Sequence, residues 1–161
     1  MDLIDRMLDH DDWANRQILG LCRDLTDAHL DQTFDIGHET LRATLTHMIF
    51  TVGFWTSLMH GQKPEYRDYP HDASIATLTE VYERSYPEFV SIARRAREEQ
   101  RLDDTYQDHY DLPTSFGGTL IQIVQHNLEH RTESLHILKR LGISDLPEID
   151  FLLWEHVTKG H

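Results

Sequence analysis

The sequence predicts an all-α fold, a four-helix bundle with a short C-terminal helix, on three observations. Apolar residues recur at three- and four-residue intervals through four segments of about 20 residues each. Glycine, proline and paired aspartates gather between those segments, where turns are expected. Text with strand-like alternation is nearly absent, apart from a hint of extended chain around Tyr106 to Tyr110. Four amphipathic helices bury their stripes against one another, and 161 residues suit a single domain, 1–161.

The first helix is expected from about Asp2 to Leu25, where Leu3, Met7, His10, Ala14, Ile18, Leu21 and Leu25 share one face. A polar connection containing Gly37 follows. The second helix fits Glu39 or Thr40 to about Leu58, with Leu41, Leu45, Met48, Val52 and Trp55 inward and Gly61 at its end. His60 to Ala73 reads as a long loop. Ser74 is a candidate cap for a third helix from Ile75 to about Arg101, in which Pro87 warns of a kink. Its end, ARRAREEQR, is a solvated charged face, and Leu102 to Gly118 is rich in turn residues. The fourth helix covers roughly Thr119 to Leu141, closed by Gly142; Pro147 then opens a short helix through Trp154. Connections of roughly 12 to 17 residues are long for hairpin-linked helices, so the order need not be up-down-up-down.

Composition removes several function classes. A formal charge of −13, from 28 acidic and 15 basic side chains, argues against a nucleic-acid or anionic-membrane partner. The single cysteine, Cys22, has no internal disulfide partner and suits a reducing cytoplasm. The acidic N-terminus lacks the basic region of a signal peptide, and no run of 18 apolar residues occurs. A soluble cytoplasmic protein is the expectation. Serine-triad, phosphate-loop and cysteine chemistry lack their minimal residues.

The chemistry centres on QIVQHNLEHRTE, residues 122–133. At about 100° per residue, His126 and His130 lie only about 40° apart, so both can reach one metal ion. His47 is embedded in the core-type text of the second helix and is the best candidate for a third ligand. The alternative is a core histidine bonded to Thr44 or Thr51. Glu133 near the same stripe is a carboxylate ligand, a group that orients an imidazole, or an ordinary helix-face acid. His10, on the buried stripe of the first helix, is a fourth ligand, a pocket acid or base, or a core polar group; pocket lining without coordination is favoured. Both are the candidates for a catalytic role. Histidines 29, 38, 60, 71 and 109 fall in loops or at helix ends.

Several stretches together resemble the DinB/YfiT-like family of metalloenzymes, also called DNA-damage-inducible. They are WANRQIL from Trp13, TLRATLTHMIFTVGFW from Thr40, HNLEHR from His126, LKRLGI from Leu138 and LPEIDFLLW in the tail, spanning nearly the whole chain. The resemblance implies an up-down-down-up bundle, often a homodimer, holding one divalent ion on three histidines that map onto His47, His126 and His130. The family often ends its last motif in His-His-Arg-Gly-Gln, where this chain has Glu129-His130-Arg131-Thr132-Glu133. It commonly carries an aromatic residue at the position of His10.

By that resemblance the expected function is a metal-dependent transferase, isomerase or hydrolase acting on a small molecule, with a low-molecular-weight thiol as partner. The ion, zinc, nickel, iron or manganese, would activate a bound water or thiol. Arg131 would pair with a carboxylate or a dimer partner, or simply be a helix-surface charge. The contrasting expectation is a non-catalytic metal-binding stress-response protein or a dimeric interaction module.

Overall fold

The computed structural model describes residues 1–64 and 70–160, so the centre of the loop expected over His60–Ala73 lies outside the described residues. Four long helices form the body: α1 (Leu3–Cys22), α3 (Leu41–Met59), α4 (Ile75–Glu98) and α5 (Phe116–Arg140). A one-turn helix α2 (Asp27–Leu30) sits between α1 and α3, and α6 (Phe151–Lys159) ends the chain. α1 packs against α4 and α5, and α3 packs against the same two, so the long helices enclose one core. Leu8, Ile18, Leu45, Ile49, Phe89 and Ile137 are fully buried there.

Helix starts follow side-chain chemistry. Asp2, Thr40, Ser74, Ser115 and Asp150 each accept a hydrogen bond from the backbone N–H three residues on, satisfying an amide that the helix leaves unpaired. At Asp2 the cap is reciprocal, because Asp5 accepts from the Asp2 amide. Three boundaries differ from the sequence reading for this reason. α5 begins at Phe116 rather than Thr119, since Ser115 caps it and Gly117 and Gly118 occupy its first turn. A Cβ at Gly117 would lie 3.2 Å from the Leu102 carbonyl oxygen, to which the Gly117 amide donates at 2.8 Å. The tail helix starts after Asp150 and not at Pro147, and it continues past Trp154 to Lys159. α2, within the expected connection, exists because Thr26 caps a single turn. α4 runs on through Pro87, which supplies no amide for the Glu83 carbonyl.

The turn-rich stretch before α5 contains two short antiparallel strands, β1 (Thr105–Gln107) and β2 (Pro113–Ser115), with Tyr106 opposite Thr114. The connecting turn is organised by Asp108. Its Oδ1 accepts from the Tyr110 and Leu112 amides at 2.8 and 3.0 Å, and its Oδ2 from the Thr114 hydroxyl at 3.2 Å. This hairpin carries His109 and Tyr110 to α3, where the His109 ring meets Phe54 and Trp55 edge-on at 5.2 and 5.6 Å.

Two buried charge arrangements hold the helices in place. Arg42, 4% exposed, binds Asp31 at 2.6 and 2.9 Å, Asp27 at 2.5 Å and the Ala73 carbonyl at 2.9 Å, fastening α2 and the approach to α4 onto α3. Deeper in the bundle, Arg131 of α5 pairs with Asp11 of α1, both almost fully buried. The surface reading of Arg131 is therefore replaced: the partner is a carboxylate on a neighbouring helix. No helix among the described residues is long and apolar enough to cross a membrane.

Candidate metal centre

His126 and His130 stand one turn apart on α5, and α3 packs alongside with His47. The Nε2 atom of His126 lies 2.9 Å from Nε2 of His47 and 3.1 Å from Nε2 of His130. Two imidazole nitrogens bound to one zinc at about 2.0–2.1 Å stand no more than about 4.2 Å apart, so these separations fit a shared ion. The Thr44 hydroxyl donates to the Thr40 carbonyl in its own helix.

Glu133 takes the orienting position. Its Oε2 lies 2.7 Å from His130 Nδ1. An ionised carboxylate only accepts, so His130 donates to it from Nδ1 and turns Nε2 toward His126. A divalent ion held by His47, His126 and His130 would give their nitrogens one common acceptor. That donor chemistry, neutral imidazoles with a carboxylate behind one of them, fits zinc or another first-row divalent ion.

Burial keeps His47 and His126 neutral. Removal from water, and then the proximity of the other imidazoles, lowers the pKa of His126 to about 3 and of His47 to about 4. Neutral imidazole is the form that coordinates.

A fourth imidazole joins them, and it comes from the connection that the sequence reading left as loop. The ring of His38 lies 4.2 Å from that of His47 and 5.3 Å from that of His130. His38, His47 and His130 each offer a nitrogen within 4.8 Å of the others. The segment before α3 is fastened onto α5 to make this possible. Asp35 pairs with Arg140 at 2.5 Å, and Gly37, at φ +50°, lies so close to Glu133 that a Cβ there would fall 2.4 Å from its Oε2. Gly37 thus earns its place through close approach as well as through its backbone angle. The only sequence hint of His38 was its position just before the Thr40 cap and beside a glycine.

His10 is placed elsewhere. Its Nε2 is 2.9 Å from the Ile149 carbonyl oxygen, and its ring contacts Trp13, Phe151 and Trp154. It joins α1 to the tail, and its ring contacts include none of the clustered imidazoles.

A cavity of about 600 Å³ opens beside the cluster, lined by His47, His126, Phe54, Trp55, His109 and Tyr110 among others. The imidazole cluster is therefore reachable by a small molecule.

The sequence profile of the DinB family matches residues 2–159. No curated protein matches the chain. With that match over nearly its whole length, the chain belongs to the DinB family.

Proposed function

We propose that the protein is a metal-dependent enzyme of the thiol-dependent transferase, isomerase or hydrolase type, with His47, His126 and His130 as its ligands. The convergence of three Nε2 atoms at 2.9 and 3.1 Å beside an open cavity carries this reading. When bound, the divalent ion supplies Lewis acidity that stabilises the anion of a coordinated water or thiol near neutral pH. The protein's own contribution is position: Glu133 fixes the tautomer of His130, and burial holds His47 and His126 neutral. A low-molecular-weight thiol is the proposed partner, entering through the cavity that His47 and His126 line.

The second reading, a non-catalytic metal-binding protein, draws on His38. His38, His47 and His130 offer nitrogens within 4.8 Å of one another, and in this reading His38 takes the position that a substrate would need. One pair of measurements separates them. Elemental analysis of untagged protein should find about one divalent ion per chain, lost in His126→Ala. A screen of thiol cosubstrates against electrophilic test compounds should then show turnover by the loaded protein. Occupancy without turnover across that screen supports the non-catalytic reading, and absence of metal in the wild type removes both.

A further inference from the structure

We infer that Asn127 is a positioning residue for the metal centre: its carbonyl takes the Nδ1 proton of His126, which leaves Nε2 of that imidazole open to the ion. The inference rests on the metal-centre reading and adds to it a link between the centre and the buried Asp11–Arg131 pair.

Two buried atoms that lack partners begin this link, and they are complementary. Nδ1 of His126 and Oδ1 of Asn127 each have no hydrogen-bond partner. The Asn127 side chain is completely buried, so its carbonyl oxygen is out of reach of bulk water and costly to leave unpaired. The amide cannot turn over to present its nitrogen instead. Asn127 Nδ2 donates to Asp11 Oδ2 at 2.7 Å, an oxygen that also accepts from Tyr86 and Asn15 at 2.8 and 3.3 Å. A flipped amide would set oxygen against that carboxylate, which Arg131 holds in place. Oδ1 is thus fixed as an acceptor in need of a donor.

The donors at hand are Nδ1 of His126 and Nε of Arg131, which is also unpartnered. The imidazole is the better match because Asn127 already acts on it. Burial and the neighbouring imidazoles lower the His126 pKa, and the Asn127 side chain opposes them as a hydrogen-bond partner. The pair falls short of full hydrogen-bond geometry, and a small rotation of the imidazole completes the bond. His126 then matches His130, one turn on, whose Nδ1 already has Glu133 Oε2 at 2.7 Å. Without an acceptor at Nδ1, the proton of neutral His126 moves to Nε2. There it points at His130 Nε2, 3.1 Å away, and an incoming ion must displace it.

The test uses full-length protein with isotope-labelled histidine, and makes one substitution at two fully buried asparagines that both donate to Asp11. Leucine keeps the branched shape and removes the amide. In the metal-free wild type, nitrogen NMR shifts should place the His126 proton on Nδ1, the signals being identified by their loss in His126→Ala. In Asn127→Leu the proton should move toward Nε2, and zinc affinity, by competition with a chelator, should fall about 10- to 100-fold. Asn15→Leu should leave tautomer and affinity as in the wild type, with helical circular dichroism reporting the fold of each. If Asn127→Leu does not fold, Asn127→Ala is read in the same way, and the wild-type spectrum needs no variant. A proton on Nε2 in the wild type, an unmoved tautomer and affinity in Asn127→Leu, or equal losses in the two leucine variants overturns the inference. The last would make Asn127 one more packing contact of Asp11, with its carbonyl served by Arg131. The tautomer is read without metal. A wild type that binds no zinc, yet whose His126 proton moves on substitution of Asn127, removes the metal reading and leaves the Asn127–His126 bond standing.

Discussion

On one stripe of α5, His126, His130 and Glu133 face α3 and the segment that leads into it; one residue further along, Asn127 and Arg131 turn into the interior against α1. The step of about 100° between neighbouring residues separates a part-buried imidazole cluster from a fully buried polar one. In the second cluster, Asp11 is surrounded by donors. Arg131 bonds its Oδ1, while Asn127, Tyr86 and Asn15 donate to its Oδ2 at 2.7, 2.8 and 3.3 Å. Arg131 also donates to Asn15 Oδ1 at 2.8 Å. Here charge is matched by charge and both Asp11 oxygens are filled, although Arg131 Nε and Asn127 Oδ1 have no hydrogen-bond partner. In the first cluster, imidazole nitrogens gather within 2.9 and 3.1 Å of one another beside a cavity. A buried network of matched charges specifies packing, whereas imidazole nitrogens gathered next to open space suit a ligand.

The contrast breaks most visibly at Asp11. Asp11→Ala strands the Arg131 guanidinium in the core and should cost about 3–5 kcal/mol of stability, read as a lowered urea midpoint. Were the loss under about 1 kcal/mol, the two clusters would not differ as described.

His126→Ala should do the opposite. Metal affinity is expected to fall by more than about a hundredfold, by isothermal titration, while the stability of the metal-free protein changes by no more than about 1 kcal/mol, because the ring is only part-buried and borders the cavity. A large loss of metal-free stability would make the imidazoles a packing device instead.

Glu133→Ala sharpens the first cluster from behind. Without the acceptor on His130 Nδ1, metal affinity should fall about 10- to 100-fold, with the ligands themselves intact. An unchanged affinity would mean that Glu133 is an ordinary surface acid.

The same burial predicts a dependence on pH. Burial holds His47 at about 4 and His126 at about 3, below the 6.5 of an unfolded histidine. Between those values the unfolded chain binds more protons than the folded one, so stability rises with pH in this window. Metal-free protein should therefore lose stability as pH falls from about 7 through 6.5 toward 4, levelling off near 3. The comparison of urea midpoints between pH 7.5 and 5 isolates the effect: the drop should be smaller in His126→Ala than in the wild type.

Local patterns in the chain already contained much of this. Helical periodicity placed His126 and His130 on one stripe, and Ser74 and Gly61 marked real helix ends. Such features are visible because a helix relates residues three and four apart by fixed geometry. His38, Asp11 and His109 were not visible in the same way. Each acts across a long sequence gap, and nothing in its immediate neighbours states what it will meet. His38 depends on Gly37 seating against Glu133, and His109 on a hairpin whose turn is tied by Asp108.

By itself the sequence determined the helical class, the caps and the i, i+4 pair of imidazoles, since all three follow from interactions within a few residues. Only the tertiary structure decided which polar residues meet. Packing of α3 and α1 on two sides of α5 made one stripe a cluster of neutral nitrogens and the next a buried ion pair. Side-chain partnership across a bundle depends on helix rotation and loop path, and those are set by the burial of the whole apolar core.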